Sequence, residues 1–254
     1  MWGFLGFPEL ARHAALDHFA EQRAMTKAAR LAQPTVKWTD KIKWQPSLHI
    51  DAESYREWLK PHMLASMEEC PAGSVYDPPK LVVPNTDWYY CHLILPKGEK
   101  LSTISGRKRG SVWFNDDVVI PAIRRERGQG NNDPVWMSMT PMEFFSLRPG
   151  TKLAKGHTVV AGLGMGHQLV GVTNKRNVTK VTLIERDRAV VDWVMPRIWD
   201  RLGPVSVEVR IGDARTILTK MRADVALVDI FYNYGGNSIY GVRNFGKVWF
   251  WGGA

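Results

Sequence analysis

His157-Thr-Val-Val-Ala-Gly-Leu-Gly-Met-Gly166 is the stretch that decides the fold of this 254-residue chain. Its first five residues are mostly β-branched or small and predict a buried strand, which runs directly into Gly162-Leu-Gly164-Met-Gly166. Downstream the pattern repeats. A helix is expected over 167–173, then the strand Val181-Thr-Leu-Ile-Glu185, then a helix over 188–202 with Asp187 as its cap. The third strand, Val205–Ile211, ends in Gly212-Asp213-Ala214-Arg215, a helix follows to about Met221, and Asp224-Val-Ala-Leu-Val-Asp229 is the fourth strand. Strands alternating with helices predict parallel, right-handed βαβ units and therefore an α/β sheet.

Ligands bind such sheets at the carboxyl ends of the strands. The special residues lie there: Gly162, Gly164 and Gly166 after the first strand, Glu185 after the second, Asp213 and Ala214 after the third. Glycines admit a ligand where a Cβ would clash. Glu185 lies 19 residues beyond Gly166, where a carboxylate accepts hydrogen bonds from ribose hydroxyls. Asp213 is placed to accept from an adenine amine. This set predicts a nucleotide site over about 153–229. His167 stands at the start of the following helix and reads as helix decoration rather than ligand contact. Glycines plus an acid also suit a nicotinamide dinucleotide. Against that stand the Gly-x-Gly-x-Gly spacing, where Gly-x-Gly-x-x-Gly is needed, and the missing second mononucleotide half.

Upstream, residues 8–32 read as a helix ended by Pro34, and 51–69 as a second, capped by Asp51 and interrupted at Pro61. Leu81–Val83, Trp88–Leu95 and Val112–Phe114 are β-like. Ser111–Ile120 reads as a hairpin turning at Asn115–Asp117, and 124–134 as an exposed loop. Thr140, Pro141 and Glu143 fit a helix start, with Glu143 closing a capping box. The chain thus divides into an extension over 1–150, helical then β-rich, and a Rossmann-like unit over 151–254.

Composition bounds the partners. No apolar run reaches the roughly 18 residues of a membrane span, and the apolar start Met1–Phe7 lacks a basic leader, so a cytoplasmic protein is expected. Cys70 and Cys91 have neither metal nor redox spacing, so two thiols and no metal are expected. The net charge of +9 is uneven: 1–150 carries 19 basic and 17 acidic residues, and 151–254 carries 15 and 8. A basic half suits an anionic partner. No basic run is interleaved with aromatics, however, so nucleic acid is not favoured over a solvated surface.

These residues together resemble the class I S-adenosylmethionine-dependent methyltransferase superfamily, and within it the spermidine synthase-like branch. The parts that carry the resemblance are Val159–Gly166, Val181–Glu185, Ile211–Arg215 and Asp224–Asp229. The resemblance implies that Gly162, Gly164 and Gly166 line the methionine moiety and ribose, Glu185 holds the ribose hydroxyls, and Asp213 with Ala214 faces the adenine. It implies that Asp229 orients and helps deprotonate an attacking acceptor; Tyr232 and Asn233, which follow it in the chain, are further candidates for the acceptor side. S-adenosylmethionine is then the cosubstrate of a transferase, a methyltransferase of unspecified acceptor. The alternatives are an aminopropyltransferase, a non-catalytic binding protein, or an enzyme that cleaves S-adenosylmethionine. Ile230-Phe-Tyr-Asn-Tyr-Gly-Gly236 stands where aminopropyltransferases have a Ser-Ser-Asp-Pro-like loop with a second acid. Only 25 residues follow Asp229, so the core is expected to stop after a fifth strand at 246–251. The N-terminal 150 residues, or another subunit, must then cover the acceptor side. The apolar tail Trp249-Phe-Trp251 favours a homo-oligomer.

Overall fold

Side-chain caps start the first two helices among the described residues. In the computed structural model, which describes residues 26–105, 108–126, 133–230, 242 and 244–251, Thr26 caps α1 (Lys27–Leu31) by accepting from the Ala29 N–H. Asp51 caps α2 (Ala52–Leu59) by accepting from the Ser54 N–H at 2.9 Å. Of the helix expected over 8–32, residues 8–25 lie outside the described residues. The helix expected over 51–69 is shorter: α2 tightens into a 3₁₀ turn at Lys60–His62, where Pro61 has no N–H to continue the ladder. Asp51→Ala is expected to cost about 1 kcal/mol, read as a lower urea midpoint with an unchanged slope.

Two sheets form the N-terminal part. β1 (Ser47–Ile50) pairs in parallel with β6 (Lys108–Phe114), whose other neighbour is the antiparallel β5 (Leu101–Ser105). β2 (Ala72–Ser74), β3 (Leu81–Val82), β4 (Trp88–Leu95), β7 (Val118–Arg125) and β8 (Val135–Ser138) make the second sheet, with β4 and β7 at its centre. The expected hairpin over 111–120 is therefore a crossing between sheets, since β6 and β7 do not pair. The turn comes where Asn and Asp place it, but its side chains reach elsewhere. Asn115 accepts from the Ala52 N–H at 2.7 Å, and Asp117 accepts from the Lys97 N–H at 2.7 Å. The exposed loop expected over 124–134 is also corrected at both ends. Arg124 and Asp133 are buried, with the guanidinium donating to the Asp133 carbonyl. Residues 127–132 lie outside the described residues.

α3 (Pro141–Leu153) leads into the parallel sheet: β9 (Gly156–Ala161), α4 (His167–Thr173), β10 (Val178–Glu185), α5 (Arg188–Ile198), β11 (Val207–Ile211), α6 (Ala214–Ile217), β12 (Ala223–Val228) and β13 (Phe245–Phe250). The strand order is β11-β10-β9-β12-β13, and every neighbouring pair is parallel. Val159–Ala161, Leu183, Ile184 and Val225–Val228 are fully enclosed, the burial that a parallel sheet covered on both faces requires. From β9 the chain steps outward through β10 and β11, then returns to add β12 and β13 on the other side. The switch point, where ligands bind such sheets, is between β9 and β12. Asp187 caps α5 as expected, accepting from the Ala189 N–H at 3.0 Å.

One apolar core joins the sheets. It contains Trp38, Tyr55, Phe114 and Phe144 from upstream and Leu169, Leu183 and Ile198 from the parallel unit. The Trp38 ring meets Tyr55 and Phe144 edge-on at 4.9 and 5.1 Å, a favourable aromatic geometry. No helix among the described residues is long and apolar enough to cross a membrane.

Candidate functional site

The carboxyl ends of β9, β10, β11 and β12 open into a cavity of about 590 Å³. Gly162, Gly164, Glu185, Asp213, Ala214 and Asp229 all line it. Residues from the glycine loop and three further strand ends thus face one space. Gly166 does not line it; this residue caps the start of α4 and packs against Ile198. Tyr232 and Asn233 lie outside the described residues.

The glycines have a reason beyond ligand access. Gly162 sits at φ +95°, and a Cβ there would overlap the Asp229 carbonyl oxygen of the neighbouring strand. The Asp229 N–H donates to the Ala161 carbonyl at 2.8 Å, fixing the two backbones side by side. Gly164 sits at φ +56° beneath the Met137 thioether. β8 from the N-terminal part therefore lies directly over the glycine loop.

The acids at the strand ends also serve the fold. Glu185 is only 6% exposed. It accepts the Leu163 N–H at 2.8 Å through one oxygen, and the N–H groups of Arg186 and Asp187 at 2.7 and 3.0 Å through the other. The first ties the glycine loop to the end of β10 and the other two hold the turn that follows β10; together they leave about one of the carboxylate's four lone-pair positions for a ligand. Asp213 caps α6 through Oδ1, accepting from the Arg215 N–H at 2.8 Å, and Oδ2 has no bonded partner among the described residues.

The structure brings a further acid to Asp229. The capping box expected at Thr140–Glu143 does not form: Thr140 makes no side-chain cap bond. Glu143 instead is buried and lines the cavity with Asp229. Burial lifts the Glu143 carboxyl well above the usual carboxylate range, and the charge of Asp229 adds to the rise. Burial also pushes Asp229 up to about 7, with Glu185 adding to it. The pair is a neutral acid beside a base poised near neutrality, a combination suited to proton transfer.

The far wall comes from residues upstream of the parallel sheet. Trp88 and Trp136 stack at 4.1 Å, and Arg125 lies 5.4 Å over Trp88. These three line the cavity with Met137, Met142 and Trp251. The terminal aromatics expected at an interface pack inward here. Trp251 donates to the Ser146 hydroxyl at 3.0 Å, and Trp249 lies on Gly150 of α3.

No known protein family matches this chain, and no curated protein does either. Solved structures share parts of it. Spermidine synthase from Thermotoga maritima is 18% identical over 51% of this chain and 47% of its own, at a TM-score of 0.29. Trm5b from Pyrococcus abyssi is 13% identical over 55% and 41%, at 0.32. MnmC2 from Aquifex aeolicus is 18% identical over 44% and 46%, at 0.28. This chain spans less than half the length of each. Likenesses this weak assign no activity; the residues lining the cavity carry the functional reading.

Reading the sequence missed Trp88, Trp136 and Met137, and it took Glu143 for a helix cap rather than a residue beside the ligand. Glu143 already had a local explanation in its Thr-x-x-Glu spacing. The two tryptophans are 48 positions apart and meet only through the pairing of β4, β7 and β8. His167, read as decoration, is packed near Trp58, His62 and Phe144. Burial lowers it to about 4, with Arg201 contributing, so it is a neutral imidazole.

Proposed function

We propose that this chain is an S-adenosylmethionine-dependent transferase, and that the group it transfers is methyl. The observation that carries the reading is the convergence of Gly162, Gly164, Glu185, Asp213 and Asp229 on one cavity at the switch point of a parallel sheet. The residues fit such a ligand. Gly162 and Gly164 present bare backbone, the remaining Glu185 lone pair suits a ribose hydroxyl, and Oδ2 of Asp213, which has no bonded partner among the described residues, suits an adenine amine. Bound there, S-adenosylmethionine supplies an electrophilic carbon on a sulfonium.

The chain's own groups do the rest. Asp229, poised near pH 7, orients a protic acceptor and takes its proton. Burial disfavours the charged form of Glu143, which leaves Asp229 as the carboxylate that meets the acceptor. Trp88, Trp136 and Trp251 narrow the cavity and exclude water, so that positioning supplies much of the rate. A second reading is aminopropyl transfer from decarboxylated S-adenosylmethionine. Glu143 favours it, because it supplies beside Asp229 the second carboxyl that Ile230–Gly236 lacks.

Calorimetry with S-adenosylmethionine, its decarboxylated form and NAD, followed by mass spectrometry of the bound ligand, tests these readings. S-adenosylmethionine is expected to bind and NAD not to bind. Absence of binding by either sulfonium overturns both transferase readings, and consumption of S-adenosylmethionine without an acceptor points to cleavage. Glu185→Ala is expected to weaken binding at least tenfold and to lower stability by about 2–4 kcal/mol, since three backbone donors lose their acceptor. Asp213→Ala is expected to weaken binding with a loss of only about 1 kcal/mol from the cap. Unchanged affinity in both variants sinks the placement of the ligand.

A further inference from the structure

Behind the glycine loop lies a second, much smaller chamber of about 20 Å³. It shares Met137, Ser138, Glu143, Gly162, Gly164 and Asp229 with the large cavity, and Gln168 and His167 of α4 also line it. Gln168 is 5% exposed, and neither Oε1 nor Nε2 of its amide has a hydrogen-bond partner among the described residues. Nδ1 of His167 is likewise buried and unpartnered there.

A buried primary amide without partners is expensive, and native proteins resolve such groups with protein or with ordered water. The chamber exceeds the roughly 10–15 Å³ that one water needs, and it is too small for a larger ligand. It also offers the two to four polar partners such a water requires: the Gln168 amide, the Glu143 and Asp229 carboxyls, and the His167 nitrogen. We propose that the chamber is a binding site for one water molecule, anchored by the Gln168 amide and hydrogen-bonded to Asp229, and that Gln168 is thereby a positioning residue for Asp229.

The amide Nε2–H donates to the water, and the water donates onward to the Asp229 carboxylate. Such a bond favours the charged form of Asp229 and fixes the direction of its free lone pairs. Among the described residues, the ionisable groups facing Asp229 across the two cavities are Glu143 from α3, Glu185 and Arg186 after β10, Asp213 and Arg215 after β11, Arg125 from β7 and His167 from α4. The water supplies the carboxylate with a donor on the side of the chamber, away from the acceptor. The bearing of this water on transfer rests on the transferase reading above. The water itself and the titration of Asp229 do not, because both are read on the protein without S-adenosylmethionine.

Gln168→Met keeps the side-chain length and removes the polar atoms, and it gives opposite results in the two cases. An amide with no partner is relieved by the change, so the thermal midpoint would rise or stay level. An amide that holds a water loses it, and the midpoint is expected to fall by about 2–4 °C. Carboxyl carbon NMR of Asp229 should show its titration midpoint rising by about half to one pH unit in the variant, through loss of a bond to the charged form. A midpoint of unfolding that rises or stays level, or an unmoved Asp229 titration, overturns the proposal. Should the variant not fold, a high-resolution crystal structure of the wild type decides. Density for one water within about 3.2 Å of both Gln168 and Asp229 is the expected result, and a dry chamber overturns it.

Discussion

Gly162→Ala is expected to lower stability by about 3–5 kcal/mol, a drop of roughly 10 °C in the thermal midpoint. Two effects add. The φ of +95° is a left-handed conformation that a side chain strains. The new Cβ would also press on the Asp229 carbonyl oxygen, which is backbone and cannot rotate away. Relief requires separating β9 from β12, and with them the glycine loop from Asp229. Ligand binding should therefore fall with stability. Gly164→Ala is the control: its Cβ meets the far end of the flexible Met137 side chain, so a loss of about 1–2 kcal/mol is expected. Urea unfolding measures both, and equal losses at the two positions would show that the backbone clash does not decide.

Asp229→Asn is expected to keep S-adenosylmethionine binding within about threefold and to lower turnover by about 10²–10⁴-fold, the usual worth of a positioned base. In the wild type the rate should climb with pH and level off above about 7, as Asp229 ionises. A second readout needs no acceptor. Asp229 binds its proton more tightly folded, at about 7, than at its ordinary 3.8. Between those values the folded state holds more protons than the unfolded, so stability falls as pH rises. Burial of Glu143 works in the same direction. The thermal midpoint of the wild type should decline from about pH 4 to about pH 7, and Asp229→Asn should flatten much of that decline. A variant that keeps the full slope would show that Asp229 does not titrate in this window.

The parallel unit was largely legible because its information is local. Each strand is a short run of β-branched and aliphatic residues closed by a turn, and the observed strands depart from the expected ones by a few residues at their ends. Val178–Glu185 begins three residues early, and α5 ends at Ile198 and tightens into a 3₁₀ turn. Alternation of strand and helix then leaves few topologies, since crossovers are right-handed. The roles of the acids were less legible. Glu185 and Asp213 reach the cavity as expected, yet each also satisfies backbone donors that only the folded loops present.

By itself the sequence determined a Rossmann-like parallel unit with its special residues at the strand ends, because burial periodicity, glycines and caps act within a few residues of one another. Tertiary structure alone decided that β6 and β7 separate into different sheets, that Glu143 leaves its cap to stand beside Asp229, and that Trp88 and Trp136 wall the cavity. Those outcomes depend on contacts between residues tens of positions apart. Pairing and burial settle such contacts after the local elements have formed, and no short stretch of the chain encodes them.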